Sequence, residues 1–303
     1  MPHEIDRVLA LAAGSTWLIE PLKAAQIAAA LALRAEGQTG FDGDARPPLI
    51  AMDPVQGQRG TVHVLRIHGT IMPRADMMMR FSGGVSMQSF MKAFKVAADD
   101  ANASAIVLDV NSPGGIVDFV PEAAETVYQA RRAERPIIAV ANTAMHSAAY
   151  FLASAADEIV VTPSGAVGSI GVRTAYDDFS QALEMAGISR TVIAAAPRKH
   201  ERVFGPMDEA AEAHLRAEVN AAYEKFVAAV ARNRQVDASV VRADPEAADR
   251  HFGGGRGYHA EEAVRLGLAD RVETFDEALT RAASGQPSRR RRTATARARL
   301  ALI

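Results

Sequence analysis

The stretch PIIAVANTAMHSAAYFLASAADEIVVT, residues 136–162, decides the fold of this 303-residue chain. It begins and ends with short runs rich in β-branched residues, which favour strands. The small and apolar residues between these runs can form a short helix. A strand, a helix and a second strand in this order predict parallel strands with a helix packed on them. Ser147 lies where the first strand gives way to the helix, so it is either a packing residue at a helix start or a nucleophile.

The same alternation of strand and helix patterns extends on both sides of this stretch. Five short runs are predicted to be strands: 62–67, 105–110, 136–141, 158–162 and 190–195. Helical patterns lie between several of them, at 86–100 and 120–133. We therefore predict an α/β fold with a mostly parallel sheet that is covered on its faces.

The segments outside this alternating region have different compositions. Residues 3–36 have an amphipathic helical pattern, and 37–60 is rich in Gly, Pro and Asp, which is typical of a linker. We divide the chain into a helical segment (1–36), a linker (37–60), a folded domain (61–280) and a basic, disordered tail (281–303).

A long helix is predicted over residues 205–234, with Pro206 in its first turn. Apolar residues recur along it every three or four positions, and we interpret them as a face packed on the core. These residues are Leu215, Val219, Ala222, Phe226 and Val230.

The tail from Arg281 to Ile303 contains seven arginines and no acidic residue, so the rest of the chain carries a net charge of -9 (-2 - 7). Such a segment is usually solvated and disordered, and this is the interpretation we favour. The alternative is a basic arm that contacts an acidic partner.

Composition excludes several classes of protein. The net charge of -2 argues against a dominant role in binding nucleic acid or a membrane surface. The absence of cysteine excludes disulfides and thiol nucleophiles. The most apolar segment, 24–34, is too short to span a membrane, and the N-terminus has acidic residues where a signal peptide has basic ones. We expect a cytoplasmic protein.

The sequence LDVNSPGGIVDFV, residues 108–120, contains a predicted strand that ends in a turn before a helix. Pro113 restricts the backbone, and Gly114 and Gly115 allow conformations closed to other residues. A turn of this kind can direct free backbone N–H groups at an anion. A tight turn without any ligand remains the alternative.

A nucleophilic Ser147 would need a base. His146 is its neighbour in sequence, so the two side chains normally point apart. Lys199 is the other candidate, although an ordinary solvated lysine would look the same in sequence. A lysine can act as a base only if its pKa is lowered, by desolvation or by nearby positive charge. An apolar run precedes Lys199, and basic residues flank it: Arg198, His200 and Arg202.

The glycine-rich stretch SGAVGSIGV, residues 164–172, indicates a tightly turned and buried segment. Ser169 within it is either a packing residue or a hydrogen-bonding neighbour of the site.

Taken together, NSPGG, HSAAYFLASAADEIVVTPSGAVGSIGV, AAPRK and GYHAEEAVRLGLAD resemble the signal peptide peptidase A family of serine proteases, and most of all its phage branch, the capsid (prohead) proteases. The resemblance covers about residues 60–275. It implies a ClpP/crotonase-like fold, which is a spiral of ββα units, and it makes 61–280 a protease domain.

The resemblance also implies a role for individual residues. Ser147 matches the nucleophile of the family, in a pattern of serine, two small residues and tyrosine. Lys199 matches the general base, and Ser169 matches the serine that hydrogen-bonds this lysine. No metal or cofactor is implied.

The oxyanion site follows by the same resemblance. Gly114 and Gly115 match the turn that donates to the oxyanion, and the N–H of Ala148 is a second donor. In short members of the family the serine and the lysine of one site come from neighbouring subunits, which implies a homo-oligomeric ring here.

The implied activity is that of an endopeptidase with a Ser/Lys dyad. We expect it to process scaffold and coat proteins during phage or prophage head assembly, in the cytoplasm or within the prohead. Three alternatives stay open: a soluble peptidase that degrades peptides, a crotonase-like acyl-CoA enzyme, and a non-catalytic assembly protein.

Overall fold

The computed structural model describes residues 17–19, 52–75, 84–196, 198, 199, 201 and 205–286. Within these residues the strands are β1 (Trp17–Ile19), β2 (Met52–Gly57), β3 (Gly60–His68), β4 (Thr70–Met72), β5 (Gly84–Ser86), β6 (Ala103–Ser112), β7 (Gly114–Ile116), β8 (Ile137–His146), β9 (Glu158–Val161), β10 (Ala166–Gly168), β11 (Gly257–His259) and β12 (Arg271–Val272).

Helices connect most of these strands and cover the sheet. Those in the described residues are α1 (Met87–Asp99), α2 (Val120–Gln129), α3 (Ala148–Ser154), α4 (Ser180–Met185), α5 (Glu209–Arg234), α6 (Ala238–Arg242), α7 (Ala260–Leu266) and α8 (Phe275–Ala283). The element order alternates strand and helix, as the sequence predicts.

Two sheets form the framework. The larger has the strand order β11-β10-β8-β6-β3-β2, and β9 and β12 extend it beside β8. Its central pairs are parallel, whereas β2 and β11 add antiparallel edges. The smaller sheet has the order β1-β7-β4-β5. Because β6 continues into β7 and then α2, and β3 continues into β4, β5 and α1, the chain repeats a ββα unit.

Buried apolar side chains lie on both faces of the large sheet. On one face, residues of α1, α2, α3 and α5 pack against alternate residues of the central strands. On the other face, α8 packs on a smaller cluster that includes Val64, Val107 and Val140. This alternation follows from the period of two residues in a strand. The predicted α/β fold of ββα units with a mostly parallel sheet is confirmed.

One predicted strand is wrong. Residues 190–196 form no regular secondary structure and are exposed, with Ile193 94% exposed. A strand needs a neighbour for its backbone hydrogen bonds, and none of the other described residues pairs with this segment. Its β-branched residues therefore mark an exposed apolar segment in a single chain.

Two segment boundaries also differ. Met52–Gly57 is a strand paired with β3, so the last part of the predicted linker belongs to the sheet. Arg281 lies inside α8 and is buried, so the predicted end of the folded domain at residue 280 falls within a helix. The remaining tail, from residue 287, lies outside the described residues.

The N-terminal helical prediction is tested only at Trp17–Ile19, and there it is wrong, since this segment is a strand paired antiparallel with Gly114–Ile116. Pairing with a neighbouring strand overrides a local helical pattern. The rest of 1–36 lies outside the described residues.

The long helix is confirmed from Glu209, with Asp208 as its N-cap, so Pro206 precedes the cap. Most of its buried residues lie toward its C-terminal end, although Ala211 in the first turn is also buried. Phe226 and Val230 are in the core, whereas Leu215 and Val219 are half-buried.

Candidate active site

Ser147 occupies the single residue between β8 and α3, and its backbone conformation is unusual. Its φ of 54° and ψ of -117° lie in a region that residues with a Cβ rarely adopt. Strain of this kind costs about 1–3 kcal/mol and is found mainly at functional sites. A serine on a sharp turn between a strand and a helix is also how α/β-hydrolases present their nucleophile.

Backbone hydrogen bonds hold Ser147 in this conformation. Its N–H donates to the carbonyl of Gly168 at 2.8 Å, and its carbonyl accepts from the N–H of Phe151 at 2.8 Å. The residue is 1% exposed. The serine is therefore fixed by β10 on one side and by the first turn of α3 on the other.

The helix that follows Ser147 is buried along its whole length. Ala148 and Ala149 leave no large side chain beside the serine. Tyr150 anchors the helix, because its hydroxyl donates to the carbonyl of Leu268 at 2.9 Å. Burial raises the pKa of Tyr150 above its usual value, so this hydroxyl keeps its proton. The pattern Ser-Ala-Ala-Tyr thus has a structural explanation at each position.

The other end of α3 is held by side chains from neighbouring helices. The guanidinium of Arg131 donates to the carbonyls of Ala155 and Ala156, at 2.6 Å each. The amide of Asn233 donates to the hydroxyl of Ser154 at 3.0 Å. The Arg131 contacts satisfy carbonyls just beyond the end of α3, where a helix leaves carbonyls without partners. The nucleophile candidate is carried on a helix fixed at both ends.

Ser169 lies beside Ser147. In the parallel pair of β8 and β10, His146 is in register with Gly168. Ser147 and Ser169 are the residues that come next after this pair, so they leave the sheet side by side. Neighbouring strands are about 4.8 Å apart. Ser169 also has a left-handed φ, 55°, is 6% exposed, and its N–H donates to the carbonyl of Arg256 at 2.8 Å. The two predicted site serines are therefore adjacent.

The turn that contains Gly114 and Gly115 directly follows β6, the strand on the other side of β8. Ser112 is in register with Met145, two residues before Ser147. Gly114 has a φ of 99°, and its N–H donates to the hydroxyl of Ser112 at 3.2 Å. The prediction of a direct turn from strand to helix is wrong in one respect, because Gly114–Ile116 first forms β7.

Gly115 cannot be replaced by a larger residue without disturbing the backbone. A Cβ at this position would lie 1.9 Å from the carbonyl oxygen of Ile71, across the pair of β7 and β4. The glycine is thus required by close packing of two strands.

The candidate oxyanion donors differ in their present hydrogen bonding. The N–H of Gly114 is used by Ser112, so an oxyanion would have to displace this hydroxyl. Ala148 is the first residue of α3, and the N–H groups of a first helical turn have no acceptor within the helix.

Lys199 is not brought to Ser147 within the described part of the chain. It lies in an exposed turn, where its N–H donates to the carbonyl of Ala196 at 3.0 Å. Its neighbour Arg198 forms an ion pair with Glu201 at 2.8 Å. His200 and Arg202, the other expected neighbours, lie outside the described residues.

The side chain of His146 extends beneath β10 to Gly257 on β11. Its Nε2 atom is 3.0 Å from the place where a Cβ on Gly257 would lie, so this glycine makes room for the imidazole ring.

Polar side chains of β3, β6 and β8 form a network that the sequence did not predict. The carboxylate of Asp109 accepts from Asn142 at 3.1 Å, and Asn111 accepts from the hydroxyl of Thr143 at 2.8 Å. Nε2 of His68 lies 3.1 Å from the second carboxylate oxygen of Asp109. Asn142 and Thr143 lie within the stretch 136–162, but nothing in the sequence indicates their partners on β6.

A cavity of about 550 Å³ lies between the start of α2 and the side of α5. Its lining combines the apolar residues Val117, Phe119 and Phe151 with the carboxylates of Asp118 and Glu122. Phe151 is one helical turn beyond Ser147, so the cavity borders the helix of the site.

The described residues contain no group of three or more side chains suited to a metal ion. Among the same residues, no helix has both the length and the apolar character to cross a membrane.

The sequence of this chain is similar to those of known proteases. The chain is 29% identical to the capsid assembly protease C of Escherichia phage lambda over 72% of this chain and 48% of that protein. It is 27% identical to a protein named as a signal peptide peptidase SppA in Enterococcus faecium, over 71% of this chain and 60% of that protein. The chain spans about half the length of the phage relative.

Among solved structures, the 1510-N membrane-bound stomatin-specific protease aligns with a TM-score of 0.41 and 16% identity, covering 72% of this chain and 82% of that one. The model of Peptidase family S49 matches residues 129–287, just over half of the chain, and this match includes Ser147, Ser169 and Lys199. The resemblance to the signal peptide peptidase A family and its phage branch is confirmed, and the chain belongs to Peptidase family S49.

Proposed function

We propose that this chain is a serine endopeptidase that uses Ser147 as nucleophile and Lys199 as general base. The observation that carries the proposal is the strained backbone of Ser147 at the junction of β8 and α3, with Ser169 at the equivalent position of β10. A serine needed only for packing gains nothing from such a conformation. Membership in a peptidase family favours this function over an acyl-CoA enzyme.

The reaction would proceed as follows. The neutral amine of Lys199 takes the proton of the Ser147 hydroxyl as the oxygen bonds to the scissile carbonyl carbon. Collapse of the tetrahedral intermediate breaks the C–N bond, and the lysine returns the proton to the leaving amine. Water then hydrolyses the acyl-enzyme by the same route. Ser169, which follows the strand next to that of Ser147, would orient the lysine amine toward Ser147.

Backbone N–H groups would stabilise the oxyanion. Ala148 offers a helical N–H without an intrahelical acceptor. Gly114 and Gly115 lie on β7, which follows β6. One such donor typically contributes about 3 kcal/mol to the stabilisation of the transition state. The buried surroundings of Ser147 strengthen this effect, because little water competes for the oxyanion.

We infer that Lys199 reaches Ser147 of a neighbouring subunit in a homo-oligomeric ring. In support, the turn of Lys199 lies on a segment whose apolar side chains face solvent in the single chain, with Ile193 94% and Met185 85% exposed. Exposed apolar surface of this kind is typical of an interaction site. A subunit contact over this segment would bury these side chains and desolvate the lysine together.

For the substrate, we propose scaffold and coat proteins of a phage or prophage head, within the assembling prohead. The similarity to a capsid assembly protease supports this choice. A peptidase that degrades peptides remains the second candidate, supported by the similarity to a signal peptide peptidase. Incubating the purified chain with the coat and scaffold proteins encoded beside its gene would decide between them. Discrete fragments by mass spectrometry support head processing, and cleavage of peptides alone supports the second candidate.

The nucleophile is tested directly with a fluorophosphonate probe followed by peptide mapping. We expect a single adduct on Ser147 and none in the Ser147→Ala variant. Ser164→Ala is the control, because Ser164 is an exposed serine just before β10 and should not affect labelling. Peptide cleavage by a pure Ser147→Ala preparation at the original rate would contradict the assignment.

A further inference from the structure

β8 contains a bulge immediately before the nucleophile candidate. Between two matched register pairs, β6 advances two residues, from Val110 to Ser112, whereas β8 advances four, from Ala141 to Met145. Two extra residues are therefore accommodated in the segment 142–144. Bulges of this kind are frequent next to active sites, where they change the direction or position of a side chain.

The bulge changes where Ser147 lies relative to the glycine turn. In an unbroken register Ser112 would face Thr143, and Ser147 would lie two residues further along the sheet. A strand rises about 3.3 Å per residue, so the bulge draws Ser147 back by about 6.6 Å. This displacement brings the serine to the level of the Ser112–Gly114 turn, which contains the candidate oxyanion donor Gly114.

Side chains of β6 hold the bulge. The hydroxyl of Thr143 donates to Oδ1 of Asn111 at 2.8 Å, and Thr143 has a φ of 90°, which a β-branched residue rarely adopts. Nδ2 of Asn142 donates to Oδ1 of Asp109 at 3.1 Å. The second oxygen of Asp109, 5% exposed, is paired with Nε2 of His68 at 3.1 Å. Both carboxylate oxygens are therefore engaged, and the carboxylate has a fixed orientation.

We propose that Asn111 and Asp109, through Thr143 and Asn142, are positioning residues that set the distance between Ser147 and the oxyanion donors. They do not touch the reacting atoms. They act by keeping the two extra residues of β8 in one conformation. The proposal rests on the proposed function for its kinetic consequence, but the displacement of the backbone can be observed without turnover.

The test compares three threonine variants of the full chain. Thr143→Val removes the hydroxyl that Asn111 accepts and keeps the shape of the side chain. Thr143→Ser keeps the hydroxyl. Thr126→Val is the matched control, because the hydroxyl of Thr126 makes a hydrogen bond of the same length, 2.8 Å, to Glu122 on α2, away from the bulge.

We expect kcat to fall 10-fold or more in Thr143→Val with little change in KM, and activity to be retained in Thr143→Ser and Thr126→Val. A structural role alone would lower the melting temperature without this split between kcat and KM. In a crystal structure of Thr143→Val, Ser147 should be displaced relative to Gly114.

An unmoved Ser147 in that structure, or a kcat equal to that of the unaltered chain, would overturn the inference. Failure of the proposed function is distinguishable from this result. If the unaltered chain shows no labelling of Ser147, the proposed function fails, whereas the displacement of Ser147 in the crystal structure still decides the role of the bulge.

Discussion

Ser147 and Ser169 directly follow the last matched pair of two neighbouring parallel strands, and both have a positive φ, 54° and 55°. The last matched pair of the two strands is His146 and Gly168, and each serine comes directly after its member of this pair. Two adjacent strands therefore leave the sheet at the same level, and each presents a hydroxyl there. This shared geometry is the structural basis of the candidate site.

The strained backbone of Ser147 predicts an unusual order of stability. At a φ of 54° and a ψ of -117°, glycine is unstrained and alanine is not. We expect the free energy of unfolding of Ser147→Gly to exceed that of Ser147→Ala by about 1 kcal/mol, which would raise its midpoint in urea. Both variants should lose peptidase activity. Equal midpoints in urea denaturation would show that the conformation carries no strain.

Substitutions of Lys199 test the base. Arginine keeps the charge but does not lose its proton at working pH, and methionine has no lone pair that can accept the serine proton. We expect both Lys199→Arg and Lys199→Met to retain less than about 1% of kcat on the scale of general-base catalysis. Lys95→Met, which changes an exposed lysine on α1, is the control. An active Lys199→Arg together with an inactive His146 variant would indicate a histidine-based mechanism instead.

Mixing two inactive variants tests whether one site uses two subunits. Ser147→Ala supplies an intact Lys199, and Lys199→Ala supplies an intact Ser147. If the residues of one site come from neighbouring subunits, we expect part of the activity to return when subunits exchange. Sedimentation of the unaltered chain gives the independent measurement, and a fully active monomer would contradict the model.

The buried hydroxyl of Tyr150 predicts an alkaline loss of stability. Burial raises the pKa of Tyr150 in the folded chain, whereas a tyrosine in the unfolded chain titrates near about 10. Above that pH the unfolded state loses a proton that the folded state keeps, so the free energy of unfolding falls as pH rises. We expect Tyr150→Phe to reduce the slope by up to about 1.4 kcal/mol per pH unit. An unchanged slope in urea denaturation between pH 10 and 11 would contradict this prediction.

Close packing at Gly115 predicts a large effect of one methyl group. A Cβ there would lie 1.9 Å from the carbonyl of Ile71, so the two strands must separate. We expect Gly115→Ala to lower the free energy of unfolding by about 3 kcal/mol or more. Gly171→Ala is the control, because the nearest atom to its Cβ would be 3.7 Å away. Similar midpoints for the two variants would show that β7 can move without cost.

The sequence predicts a strand correctly where a run of β-branched residues also has a neighbouring strand to pair with. The runs at 62–67, 105–110 and 136–141 became the central strands β3, β6 and β8. Residues 190–195 have a similar composition, but the described part of the chain contains no strand beside them. A local pattern records the tendency to form a strand, and only the tertiary structure supplies the neighbour.

The candidate site was predictable to a similar degree. The resemblance implied that Ser169 belongs to the site of Ser147, but the pairing of β10 with β8 that brings the two serines together was not predicted, because 164–172 has the pattern of a turn. The bulge at 142–144 could not be predicted, because it depends on polar side chains of β6 that lie more than 30 positions away in sequence. The position of Lys199 relative to Ser147 stays a prediction, since it concerns a second subunit.

The anchoring of α3 has a consequence for the order of events during synthesis. The hydroxyl of Tyr150 bonds a carbonyl 118 positions later in the chain, and the N–H of Ile159 bonds a carboxylate of Asp270, 111 positions later. A nascent chain that has reached residue 200 on the ribosome therefore carries the serine without the Tyr150 anchor of its helix or the Asp270 contact at β9. We expect such a chain to be proteolytically silent, so that the coat and scaffold proteins proposed as substrates are exposed only to completed molecules.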